Sequence, residues 1–105
     1  MYPDPQSRSA QLYERGRKVM PGGNSRVGVM FEPYPVYAAS AKGCRVTDVD
    51  GTERIDFINN WSSLIHGHAY GPVVEAVAAQ LARGTAFMMA TEQEVLHAEH
   101  ICSRS

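Results

Sequence analysis

His66-Gly67-His68 places two imidazoles two residues apart, which on a strand face the same side and could together chelate a metal. A metal site needs a third ligand, normally carboxylate, Cys or His, and nothing at recognised spacing supplies one. His97 and His100 stand at i, i+3, but the glutamate beside them is Glu99, in the wrong place for a His-Glu-x-x-His helix. Asp48, Asp50 and Glu53 resemble the start of a calcium loop, yet the glycine and the closing glutamate miss the required offsets. Pro21-Gly22-Gly23 follows a helical pattern, not a strand, so it is no phosphate loop. Ser62 and Ser63 lack the Gly-x-Ser-x-Gly context of a serine nucleophile. The residues alone therefore assign no catalytic, cofactor-binding or metal-ligating side chain.

Two side chains fit binding better than catalysis. Arg26 lies in an irregular Gly- and Pro-rich loop, and its guanidinium fork suits a carboxylate. Trp61, the one tryptophan, follows a strand pattern, where it could pack in a core or wall a ligand site.

The elements that must position these residues follow from local pattern. Residues 1–8 are polar with two prolines and are expected as a flexible leader. Ser9 is expected to cap a helix reaching about Met20, where Pro21-Gly22-Gly23-Asn24 stops it. Three short strands follow: Val36 to Ala39, Cys44 to Asp48 and Glu53 to Phe57, with Ile55 and Phe57 on one face. Lys42-Gly43 and Asp48-Val49-Asp50-Gly51 supply the turns of an antiparallel meander, which needs a cover for its apolar face. Gly71-Pro72 opens a helix closed by Gly84, with Val73, Val74, Val77 and Leu81 as its apolar stripe. Thr91 and Glu94 are spaced as a capping box for a last helix, whose Val95, Ala98, Ile101 and Cys102 are expected to face inward.

Composition narrows the class. At 105 residues, 44% hydrophobic and 20% charged, the chain is in the range of a single ordinary globular unit. A net charge of −1 offers no electrostatic case for nucleic acid or an anionic membrane. No apolar run reaches the ~18 residues of a membrane span, and the N-terminus lacks signal-peptide order. Cys44 and Cys102 are expected as buried or bystander thiols of a reducing cytoplasm, not as a disulfide framework. Few elements are available to cover the apolar faces, so the sequence looks like part of an incomplete domain over residues 9–105, poorly folded in isolation.

Taken in order, many short segments resemble the N-terminal part of the class-III, pyridoxal-phosphate (PLP)-dependent aminotransferases, most of all the glutamate-1-semialdehyde 2,1-aminomutase and β-amino-acid aminotransferase branches. They include Met20-Pro21-Gly22-Gly23-Asn24-Ser25-Arg26, Glu32-Pro33-Tyr34-Pro35, Asp48-Val49-Asp50-Gly51, Ile55-Asp56-Phe57, Trp61, Gly67-His68, Gly84-Thr85 and Thr91-Glu92. Departures include Tyr70-Gly71 where the family has His-Pro, and His97 and His100 where leucine is expected.

The resemblance implies an α/β fold, the N-terminal fragment of PLP fold type I: helix, three-stranded antiparallel meander, then two helices. It implies a cytoplasmic homodimer that moves an amino group between a small-molecule amino acid and a carbonyl, or within one substrate in the mutase case. Arg26 matches the arginine that binds the substrate carboxylate, and Trp61 a tryptophan lining the pocket. The cofactor, pyridoxal 5'-phosphate, needs a Schiff-base lysine that the family carries downstream. Lys18 and Lys42 match no such position, so this chain alone is expected to be inactive. The rival expectation is a non-catalytic binding or dimerisation module, or a truncated gene product.

Overall fold

The computed structural model describes residues 1–104; Ser105, the last position of the expected segment 9–105, lies outside them. The chain divides into two compact units, Met1–Tyr70 and a second beginning at Gly71.

The first unit opens with helix α1, Arg8–Arg17. Its cap is Ser7, not Ser9: the Ser7 hydroxyl accepts from the Ala10 N–H at 3.2 Å. Ser9 is already helical and only 2% exposed, because its hydroxyl serves another partner. The helix stops at Arg17, short of Met20, since the Lys18 N–H bonds Arg15 in a tightened last turn. Tyr2 and Asp4, within the expected leader, bond Tyr34: the Tyr2 hydroxyl donates to the Tyr34 carbonyl at 2.7 Å, and the Tyr34 hydroxyl to the Asp4 carbonyl at 2.8 Å.

The three strands are β1, Ala38–Lys42, β2, Arg45–Asp48, and β3, Glu53–Ile55, paired antiparallel in the order β1-β2-β3. β1 begins two residues later than expected and runs up to the turn. Lys42 pairs with Arg45 across a two-residue turn in which Gly43 takes φ 57°, so pairing extends to the hairpin tip. β3 ends at Ile55, so Phe57 lies beyond the strand and both side chains are exposed.

The Asp48–Gly51 turn does more than reverse the chain. Asp48, 5% exposed, accepts from the Asp50 and Thr52 N–H groups at 3.0 and 2.8 Å and from the Arg54 guanidinium. Asp50 reaches α1 instead, accepting from the Arg8 N–H at 2.6 Å, the Ser9 N–H at 3.1 Å and the Ser9 hydroxyl at 2.8 Å. A carboxylate on orphan donors at a helix N-terminus is favoured by both hydrogen bonding and the helix dipole. The hairpin thereby fastens α1.

At the other end of α1, Gly16 packs on the 3-10 turn Pro21–Gly23, and a Cβ on Gly16 would lie 2.6 Å from the Gly23 carbonyl oxygen. Only glycine permits that approach.

The second unit holds helices Gly71–Leu81 and Glu92–Cys102. The first is closed by Gly84 at φ 104°, whose carbonyl accepts from the Gln80 side chain at 2.8 Å. Thr91 precedes the second, but the capping box is not formed: its hydroxyl bonds the Glu94 carboxylate at 3.2 Å rather than a backbone N–H. Val73, Val77 and Leu81 of the first helix's apolar stripe, and Val95 and Ile101 of the second helix's expected inward face, are at least half exposed. Cys44 and Cys102 are exposed free thiols. Among the described residues no helix is long and apolar enough to cross a membrane.

In a full-length protein carrying this segment, Gly16→Ala should lower stability by about 1–3 kcal/mol, because backbone must move to admit the methyl group. Gly71→Ala, which meets open space at an ordinary φ, should stay within about 0.5 kcal/mol. Urea denaturation of both variants checks the contrast.

Candidate functional site

The backbone leaves β3 and at once enters a conformation unusual for L-residues. Asn59, Asn60, Trp61 and Ser62 have φ of 52°, 48°, 58° and 64°, one turn of left-handed helix. Such a residue costs roughly 1–2 kcal/mol unless it is Gly, with Asn the most tolerant of the rest. Four in succession persist only if their surroundings fix them.

Asp56 begins that fixation. Its Oδ1 accepts from the Ile58 and Asn59 N–H groups, each at 2.8 Å, and its Oδ2 lies 2.7 Å from His68 Nε2. An ionised carboxylate only accepts, so this imidazole nitrogen donates. The Ser62 N–H closes the turn on the Ile58 carbonyl at 3.0 Å, and the Asn59 side chain donates to the Leu64 carbonyl. Asn60 Nδ2 donates to Ser63 Oγ at 2.9 Å, and that hydroxyl donates to the Asn60 carbonyl at 2.8 Å.

His68 in turn fixes where the loop returns. Its backbone forms a bridge with Gly43, both hydrogen bonds being 2.8 Å. Gly67, at φ 77°, passes so close to Gly43 that a Cβ would lie 2.8 Å from the Gly43 carbonyl oxygen. His66 stacks on Tyr70 with centroids 4.6 Å apart. The two imidazoles of the His-Gly-His run therefore serve separate packing and hydrogen-bonding roles.

The left-handed turn brings together the two residues singled out by the sequence. Trp61 lies against the loop that carries Arg26: a Cβ on Gly28 would sit 3.3 Å from Trp61 Cζ2. Arg26 Nη1 reaches Asn60 Oδ1 at 3.5 Å, a long contact, while its own N–H donates to Asn24 Oδ1 at 2.9 Å. Arg26 and Trp61 share one open groove of about 680 Å³, whose walls include Phe31, Ile55 and Ile58. Trp61 is 78% exposed and Arg26 has no carboxylate partner among the described residues. A cation lining a mainly apolar groove can receive an anion attached to an apolar body.

The sequence reading did not find the left-handed turn, Asn60, or the Asp56–His68 pair. One signal was present: Asn59-Asn60 joins two residues of the type that best tolerates this backbone.

Three aspartates hold these loops ionised. At Asp48 burial pushes the carboxyl up, but the Thr52 N–H and the Arg54 guanidinium outweigh it and hold the group below the ordinary carboxylate range. At Asp50 the same opposition is won by the Ser9 hydroxyl and the Arg8 and Ser9 N–H groups. At Asp56 the Asn59 N–H, then His68, keep the carboxyl low against partial burial.

Comparison with known proteins gives this geometry a family. The family model "Aminotransferase class-III" matches residues 27–104. Glutamate-1-semialdehyde 2,1-aminomutase 1 of Cenarchaeum symbiosum (strain A) is 48% identical over 87 residues, 83% of this chain and 21% of that protein. Among solved structures, an omega-transaminase from Sphaerobacter thermophilus superposes with a TM-score of 0.89 at 53% identity, covering 93% of this chain and 22% of the other. A transaminase with PLP bound superposes equally well, at 58% identity over 92% of this chain and 23% of its own. The chain belongs to the class-III aminotransferases and corresponds to an N-terminal segment of them. It spans about a fifth of the length of the relatives it matches.

Among the described residues no lysine lines the groove, so the residues present do not fit covalent attachment of PLP.

The depressed carboxyls carry a pH signature. Each contributes stability that is fully present above the unfolded value, about pH 3.9, and lost as pH falls through the lower folded value. Asp56→Asn should be less stable at neutral pH and decline less steeply in acid, the gap to the parent narrowing as pH falls below about 4. Denaturant midpoints across that range, on a full-length protein carrying the segment, check it.

Proposed function

We propose that this segment forms the substrate-carboxylate wall of a PLP-dependent transaminase, with Arg26 receiving the carboxylate and Trp61 lining the pocket beside it. The observation that carries the reading is the shared groove: an arginine without a carboxylate partner among the described residues stands beside an exposed tryptophan. A planar guanidinium can grip a carboxylate through two parallel hydrogen bonds, which fixes the acid end of an amino acid and so places its amine. The apolar walls then accept the substrate's carbon skeleton and exclude water from around the charge pair.

A transaminase is favoured over a mutase because the solved transaminases share 53% and 58% identity with the chain, above the 48% of the aminomutase relative over a similar span. The complete enzyme is proposed as a cytoplasmic homodimer that binds PLP through residues outside this chain. The exposed stripes of Val73, Val77 and Leu81, and of Val95, are proposed as surfaces covered by the remainder of that enzyme.

In an active full-length enzyme carrying the segment, Arg26→Ala should raise KM for an amino-acid donor about 10- to 100-fold, the scale of a lost charged hydrogen-bond pair. Arg26→Lys should recover only part of this, since an ammonium cannot form the fork. An unchanged KM in both variants would sink the reading. The 105-residue chain mixed with PLP should retain no adduct after dialysis; a retained adduct abolished by Lys42→Ala would place the attachment site here. The coding sequence beyond Ser105 tests the rest: a continuing frame with a later lysine supports the enzyme, and a stop codon supports a non-catalytic module.

A further inference from the structure

We infer that Asn60 is a positioning residue for Arg26, holding the guanidinium with a neutral oxygen so that its charge stays available to a substrate carboxylate. This rests on the proposed role of Arg26 and adds a residue and a selectivity to it.

The orientation of the Asn60 amide follows from its neighbours. Ser63 Oγ gives its only proton to the Asn60 carbonyl, so toward the Asn60 side chain it can only accept. The amide must therefore present Nδ2 to Ser63, at 2.9 Å, which leaves Oδ1 directed at Arg26 Nη1, 3.5 Å away. Nitrogen toward the arginine would set donor against donor.

The backbone explains why this residue is asparagine. Position 60 has φ 48° and ψ 56°, in the left-handed region that Gly, Asn and Asp enter at least cost. Glycine has no side chain with which to reach Arg26. Aspartate would reach it, but a carboxylate there would pair with the guanidinium and compete with a substrate acid. Asparagine alone among the three combines the backbone with an uncharged acceptor. The strained turn thus sets one side chain that orients the cation without neutralising it, and the next, Trp61, that walls the same groove.

The test uses an active full-length enzyme carrying the segment and two variants chosen to spare the turn. Asn60→Gly relaxes the backbone and removes the amide, including its bond to Ser63; Asn60→Asp keeps the size, gives up the same Nδ2 donor and adds the charge, so the two variants share the loss at Ser63 and differ in charge and backbone. Binding of 3-phenylpropanoate, a carboxylate with no amine to react, is measured by calorimetry. Single-turnover rates are compared for a β-amino acid and for 1-phenylethylamine, which has no carboxylate. Asn60→Gly should weaken 3-phenylpropanoate binding about 3- to 10-fold, the range of one lost hydrogen bond. Asn60→Asp should weaken it at least as much, and both should lower the ratio of β-amino-acid to amine turnover. If Arg26→Ala abolishes binding while both Asn60 variants bind as the parent does, the inference fails and the role of Arg26 stands. If Arg26→Ala also binds normally, the role of Arg26 itself is wrong. Equal losses on both substrates, with a lowered melting temperature, would reduce Asn60 to a structural residue and overturn the inference.

Discussion

An ionised carboxylate accepts several hydrogen bonds and donates none, and Asp56 uses that capacity where the chain leaves the sheet and turns left-handed. One oxygen takes the Ile58 and Asn59 N–H groups, donors that neither strand nor right-handed helix could satisfy there. The other holds His68 and so fixes the return of the same loop. Without this carboxylate four adjacent residues would keep an unfavourable backbone with little to fix its entry. The direction of Trp61, and the meeting of Asn60 with Arg26, both descend from it.

The first unit relies on such polar fastening because it buries little apolar surface. Ala10 and Tyr34 are the buried hydrophobic residues described, while Trp61, Ile58 and Phe57 remain exposed. Asp48, Asp50 and Asp56 do what a core would do in a larger body, each joining backbone groups of one segment to a side chain or helix end of another. The exposed apolar side chains are then free to form a groove wall. Length is the reason: a chain spanning a fifth of its relatives has much surface and little interior.

Much of the fold was legible from local pattern. The Asp48–Gly51 turn, the helix from Gly71 and its end at Gly84 follow from turn chemistry and caps, which act over a few residues. Arg26 and Trp61 could be singled out by residue type, loop context and family likeness, and the structure places both on one groove. What local pattern could not supply is anything set by contacts across distance. Ser9 looked like a cap because its partner, Asp50, lies 41 residues away. Asn60 drew no reading because its contact is with Arg26, 34 residues earlier. The apolar faces of the last two helices are exposed because amphipathic periodicity states that a face is apolar, not that this chain contains its cover.

The capping of α1 by Asp50 has a consequence for how the chain is made. The helix is synthesised before the hairpin, with Ser7 alone to serve its first turn. The acceptor for its Arg8 and Ser9 N–H groups arrives only when residue 50 has been added and the hairpin has closed. Helices this short are marginal in water without tertiary support. The first turn of α1 is thus fully capped only once residue 50 is in place, so this helix depends on a segment translated after it.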